Sequence, residues 1–102
     1  MLPHAKEMCK IAAEKIKYDV TTKYQSILEE IVARIRYSAE GGYFEVEFTL
    51  EYDYSVCSFL ELEIGKNFFE LSGYKCTQKK NGDFILSYSP SKLLTKYSSL
   101  HQ

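Results

Sequence analysis

The run Tyr43-Phe44-Glu45-Val46-Glu47-Phe48-Thr49-Leu50-Glu51-Tyr52 alternates apolar and polar side chains from end to end. Successive side chains of an extended chain point to opposite sides. The run therefore predicts a strand with Phe44, Val46, Phe48, Leu50 and Tyr52 on one face and Tyr43, Glu45, Glu47, Thr49 and Glu51 on the other. The apolar face needs a cover, and the flanking segments read as the helix and further sheet that supply it. On this reading the run is the central strand of the fold.

Upstream, from Ala5 to Ala39, apolar residues recur at helical spacing: Met8, Ala12, Ile16, Val20, Tyr24, Ile27, Leu28, Ile31, Val32 and Ile35. The β-branched residues in Asp19-Val20-Thr21-Thr22 and the capping-box form Thr22-x-x-Gln25 mark a weak point where two helices meet. An unbroken helix here would run to about 50 Å, longer than a chain of this size is wide. It must bend, or its first half must project and pack on another copy. Glu40-Gly41-Gly42 ends the helix and leads into the strand.

Downstream, Asp53 or Ser55 is placed to cap a second helix carrying Val56, Leu60, Ile64, Phe68 and Leu71, with Phe59 beside this stripe and Gly65 within it. Leu71-Ser72-Gly73-Tyr74 stops that helix. Asn81-Gly82 between Tyr74–Lys79 and Asp83–Tyr88 signals a hairpin with a two-residue type I′ turn, placing Phe84, Leu86 and Tyr88 on one face and Ile85 and Ser87 on the other. Ser89-Pro90 is read as the opening of a short C-terminal helix with Leu93, Leu94, Tyr97 and Leu100. The expected fold is a single α+β domain over residues 1–102: a long N-terminal helix, a three-stranded, largely antiparallel sheet, and a second helix on the same face.

A chain of 102 residues supports one core, and 45% hydrophobic with 26% charged residues is ordinary for a globular protein. The net charge of −1 provides no whole-molecule attraction to nucleic acid or to an anionic membrane, so neither is an expected partner. Charge is unevenly spread: residues 41–63 hold six acids and no Lys or Arg, whereas residues 64–102 hold six Lys against Glu70 and Asp83. Cys9, Cys57 and Cys76 are odd in number and lack C-x-x-C spacing, which argues against a disulfide framework or a zinc ribbon. With no signal-like apolar run at Met1–Glu7 and no stretch of about 18 apolar residues, the expected location is the cytoplasm.

Chemistry is sparsely marked. His4 and His101 lie close to the ends of the sequence, and no phosphate loop, nucleophile elbow or metal-ligand spacing occurs, so neither an enzyme nor a metal or cofactor is expected. Glu45, Glu47 and Glu51 share one strand face, and Lys75, Thr77 and Lys79 are placed to share the facing side of a neighbour. That face reads either as a solvated surface laced with cross-strand ion pairs or, with Asp53, Glu61 and Glu63, as a negative surface that docks on a basic partner. Nine tyrosines without a tryptophan favour interfaces, with Tyr18, Tyr37, Tyr43, Tyr54 and Tyr97 lying off the main stripes. Arg34 and Arg36 beside Tyr37 have the composition of a phosphate clamp with a stacking ring, or of a plain polar helix face.

The stops and turns Ala39-Glu40-Gly41-Gly42, Leu71-Ser72-Gly73-Tyr74-Lys75, Asn81-Gly82 and Ile85-Leu86-Ser87-Tyr88 together give a chain that resembles a loose group of small phage-encoded accessory proteins. The resemblance spans about residues 10–88, with Leu86, Tyr88 and the segment after Pro90 as departures. It implies a non-enzymatic, homo-oligomeric protein of the host bacterial cytoplasm that blocks a bacterial defence system by stoichiometric binding of a host protein. Two alternatives remain open. One is a sponge for a cyclic-nucleotide immune signal, held by Arg34, Arg36 and Tyr37; the other is an acidic nucleic-acid mimic built on Glu45, Glu47 and Glu51.

Overall fold

The computed structural model describes residues 1–88. In chain order these form α1 (Ala5–Lys23), α2 (Gln25–Glu40), β1 (Glu45–Phe48), α3 (Tyr54–Glu61), α4 (Glu63–Leu71), β2 (Lys75–Gln78) and β3 (Phe84–Ser87). The strands make one antiparallel sheet in the order β1-β3-β2, so the expected α+β architecture is present. The short helix expected after Ser89 lies outside the described residues.

Val46, Phe48, Phe84 and Leu86 turn one sheet face inward. They meet Val20 of α1, Ile31 and Ile35 of α2, Val56, Cys57, Phe59 and Leu60 of α3, and Phe69 of α4. All are buried, and burying a side chain such as Phe48 or Leu60 contributes about 1.5–3 kcal/mol. The register anticipated for β3 holds, with Phe84 and Leu86 inward and Ile85 and Ser87 outward.

The alternating run contributes less strand than its pattern predicts, because only Glu45–Phe48 pairs. At Thr49 the chain turns: Asp53 N–H donates to Thr49 O (2.7 Å), Thr49 N–H donates to the Asp53 carboxylate (3.0 Å), and Tyr52 N–H donates to Thr49 Oγ1 (3.3 Å). Leu50 and Tyr52 therefore leave the apolar face and are exposed. Nor is β1 central: it is an edge, and β3 occupies the middle.

The long N-terminal helix breaks at Tyr24, whose φ of −124° and ψ of 28° leave helical space, two residues after the anticipated site. Thr22 is not the cap; the N-cap of α2 is Tyr24. The span is thus interrupted rather than continuous, and the first half of α1 also projects. Residues 5–12 of α1 are exposed throughout, and the radius of gyration is 15.6 Å, against about 13 Å for a compact chain of this length.

The helix expected over 56–71 is two helices. Leu62 adopts an extended conformation (φ −68°, ψ 141°), which resets the phase, so Gly65 and Phe69 turn fully inward, Ile64 and Phe68 of the expected stripe pack half-buried against the core, and Leu71 is half exposed. Asp53 holds the N-cap position of α3 without a side-chain capping bond, its carboxylate being used elsewhere. Gly65 is the contact that permits the reversal: a Cβ there would lie 2.2 Å from Phe59 O.

Two helices end alike. Tyr43 N–H donates to Ser38 O and Gly42 N–H to Ala39 O after α2, and Tyr74 N–H donates to Phe69 O and Gly73 N–H to Glu70 O after α4. These are paired Schellman closures, each delivering a Tyr into the approach to a strand. The hairpin turn differs from expectation. Gly82 N–H donates to Lys79 O, Gly82 alone takes positive φ (97°) and Asn81 does not, so the loop is a type I turn with a glycine bulge, not a type I′ turn.

Gly65→Ala is expected to destabilise the fold by about 2–3 kcal/mol, because the added methyl meets backbone that cannot move aside. Urea denaturation followed by circular dichroism measures the loss; an unchanged midpoint would contradict the packing described.

Candidate functional site

A groove of about 600 Å³ lies between the C-terminal half of α2 and the outer edge of β1. Arg34, Tyr37, Ser38, Glu40, Tyr43, Glu45 and Glu47 supply its polar and aromatic lining. Helical spacing puts Arg34, Tyr37 and Ser38 on one side of α2, and the Schellman turn at Gly41-Gly42 brings Tyr43 round to face them. Tyr37 and Tyr43 keep 81% and 67% of their surface in solvent, so both rings are open to a partner.

Arg34 is committed within the protein. Its Nη1 donates to Asp53 Oδ1 (3.0 Å), its Nη2 to Glu47 O (3.0 Å), and its guanidinium carbon lies 4.8 Å from the centre of the Phe48 ring. Asp53 also accepts from Thr49 N–H, so this charge-assisted set ties α2, β1 and the turn before α3 together, each bond being worth about 1.5–3 kcal/mol where shielded and less where wet. Ser38 Oγ donates to Glu45 O (2.7 Å). Arg34 and Ser38 together occupy the outward carbonyls of β1.

The residues singled out from sequence are thus partly gathered. Arg34, Tyr37, Glu45 and Glu47 share the groove; Arg36 is exposed on α2 and does not line it. Glu51 lies beyond the Thr49 turn, in a separate shallow groove with Tyr52, Asn81 and Asp83. Tyr18 is exposed on α1 with Lys15 Nζ 5.8 Å from its ring centre, Tyr54 is exposed at the start of α3, and Tyr97 is outside the described residues. Sequence reasoning missed Ser38 and Glu40. The available signal was the i, i+4 spacing of Arg34 and Ser38 ahead of a Gly-Gly stop, which aims both at the strand that follows.

On the outer sheet face Lys79 Nζ pairs with Glu47 across the central strand, over Ile85. Hydrogen bonding to Glu47 is the main cause that raises the Lys79 pKa above its ordinary value. Part of this face is therefore the cross-strand ion pairing read from the sequence.

No group of three or more His, Cys, Asp or Glu among the described residues is placed to hold a metal ion, and no described helix is long and apolar enough to cross a membrane. Comparison with protein-family models, with curated proteins and with solved structures finds no match.

The cysteines differ in burial. Burial raises the Cys57 thiol pKa, helped by the charges of Asp53 and Asp83, and burial likewise raises that of Cys76; Cys9 is exposed. Since the thiolate is the nucleophile, alkylation of the native protein by iodoacetamide near neutral pH is expected to proceed at Cys9 first, then Cys76, with Cys57 last. Peptide mass spectrometry over a time course reads the order, and early labelling of Cys57 would contradict the burial described.

Proposed function

We propose that the protein is a non-enzymatic binding protein that acts by stoichiometric association with another protein, and that the groove between α2 and β1 receives a basic segment of that partner. The observation that carries this reading is the lining: Glu40 and Glu45 stand beside the open rings of Tyr37 and Tyr43, while Arg34 is already countered by Asp53 and Glu47 by Lys79. A lysine or arginine entering there meets carboxylates and aromatic faces at once.

The same lining favours a protein partner over a nucleotide. A phosphate would meet net negative charge, both terminal nitrogens of Arg34 are engaged, and Arg36 stands outside the groove. A nucleic-acid mimic needs a continued row of acids, and the turn at Thr49 separates Glu51 from Glu45 and Glu47.

The resemblance to small phage-encoded accessory proteins supplies the partner class: a bacterial defence protein in the host cytoplasm, inhibited by occupancy. Self-association belongs to the same proposal. The projecting half of α1 exposes Met8 and Ile11, apolar side chains that a second copy could cover.

Two measurements test these readings. Glu40→Lys with Glu45→Lys is expected to abolish retention of a partner from bacterial lysate while leaving the circular dichroism unchanged; equal retention by both proteins would overturn the groove assignment. Light scattering at micromolar concentration is expected to find an assembly larger than the 11.8 kDa chain, reduced to that mass by Met8→Glu with Ile11→Glu; a monomer from the outset would remove self-association.

A further inference from the structure

The two free edges of the sheet are treated differently. Tyr88 N–H donates to Phe44 O (3.1 Å), which sets the alternation on that side of β3: Val46 and Phe48 bond inward, and Glu45 and Glu47 point their backbone groups away. Those outward carbonyls are the ones occupied by Ser38 and Arg34. On the other side Lys79 N–H donates to Asp83 O (2.7 Å), so Thr77 and Lys75 bond to β3, and Cys76 and Gln78 direct N–H and C=O outward. Among the described residues no donor or acceptor meets these outward groups. Among the described residues one edge is plugged and the other is open.

The open edge has a side-chain receptor beside it. A cavity of about 150 Å³ lies on the helix-facing side, lined by Leu60, Glu61, Lys66, Cys76, Gln78 and Phe84. We infer that the outer edge of β2 is a strand-addition site for an extended acidic segment of another protein, with a small side chain of that segment seated in this cavity. Backbone bonds to Cys76 and Gln78 supply affinity, and the cavity reads alternate side chains.

Charge selects the occupant. The outer face of β2 and its turn present Lys75, Lys79 and Lys80, and neither Lys75 nor Lys80 has an ion-pair partner among the described residues. A second copy of β2 is disfavoured in the register centred on Thr77, which joins Cys76 to Gln78 on both sides, because it sets Lys75 of one copy opposite Lys79 of the other. An incoming strand with acidic residues on that face meets the lysines favourably. This site lies at the opposite edge of the sheet from the α2–β1 groove and does not depend on it.

The test uses the full chain, ¹⁵N-labelled, and a capped octapeptide of alternating glutamate and valine, with alternating lysine and valine as control. The acidic peptide is expected to slow amide exchange at Cys76 and Gln78 by about tenfold or more, and the control to leave it unchanged. Gln78→Pro removes an outward donor while sparing the ladder to β3, so it should abolish the effect with exchange at Thr77 and Ile85 preserved. Lys75→Glu should weaken the acidic peptide by about two- to fivefold. Three results would overturn the inference: no slowing by the acidic peptide, equal slowing by the lysine peptide, or slowing without peptide that grows with protein concentration and so assigns the edge to a second copy.

Discussion

Arg34 and Asp53 hold the described structure in register. One guanidinium reaches the Asp53 carboxylate, the Glu47 carbonyl and the face of Phe48, joining α2, the edge strand and the turn that starts the second helical pair. Asp53 in turn secures Thr49 N–H and so decides where β1 stops. The hydrophobic core contributes the larger free energy, but it is non-directional. The charge-assisted bonds choose which residue of β1 lies against which residue of α2.

That choice shapes the surface as well. Because Arg34 and Ser38 satisfy the carbonyls of β1, this edge is closed to strand pairing, and what remains beside it is a groove of carboxylates and tyrosine rings. Across the sheet, β2 keeps its outward backbone groups and a row of lysines. The molecule thus offers an acidic, side-chain-lined contact at one edge and a basic, backbone-lined contact at the other. A chain with net charge −1 thus carries two surfaces of opposite sign.

The helix breaks show how local and global terms divide the work. Tyr24 and Leu62 carry neither Gly nor Pro, so nothing in their own identity demands a break. At the second, the two helices turn back on each other so closely that only a hydrogen fits at Gly65 against the Phe59 backbone. Read as a helix interior, Gly65 looks like a cost of about 1 kcal/mol; in the fold it is the residue that admits the contact. The phase shift it accompanies buries Phe69 and exposes Leu71.

Short-range information was enough for the class of the fold, the helical span before Gly41, the glycine–tyrosine stops, the hairpin and the inward face of β3, because periodicity and turn chemistry act within a few residues. Part of the candidate site was legible too, since Arg34, Tyr37, Glu45 and Glu47 were recognisable as unlike their surroundings. Strand order, the end of β1 at Phe48, and the spending of Arg34 on Asp53 and Glu47 were settled only in three dimensions. Strand order and the spending of Arg34 depend on groups well apart in sequence satisfying one another's hydrogen bonds; β1 ends on bonds between Thr49 and Asp53, and apolar–polar alternation carries no record of side chains bonding the backbone.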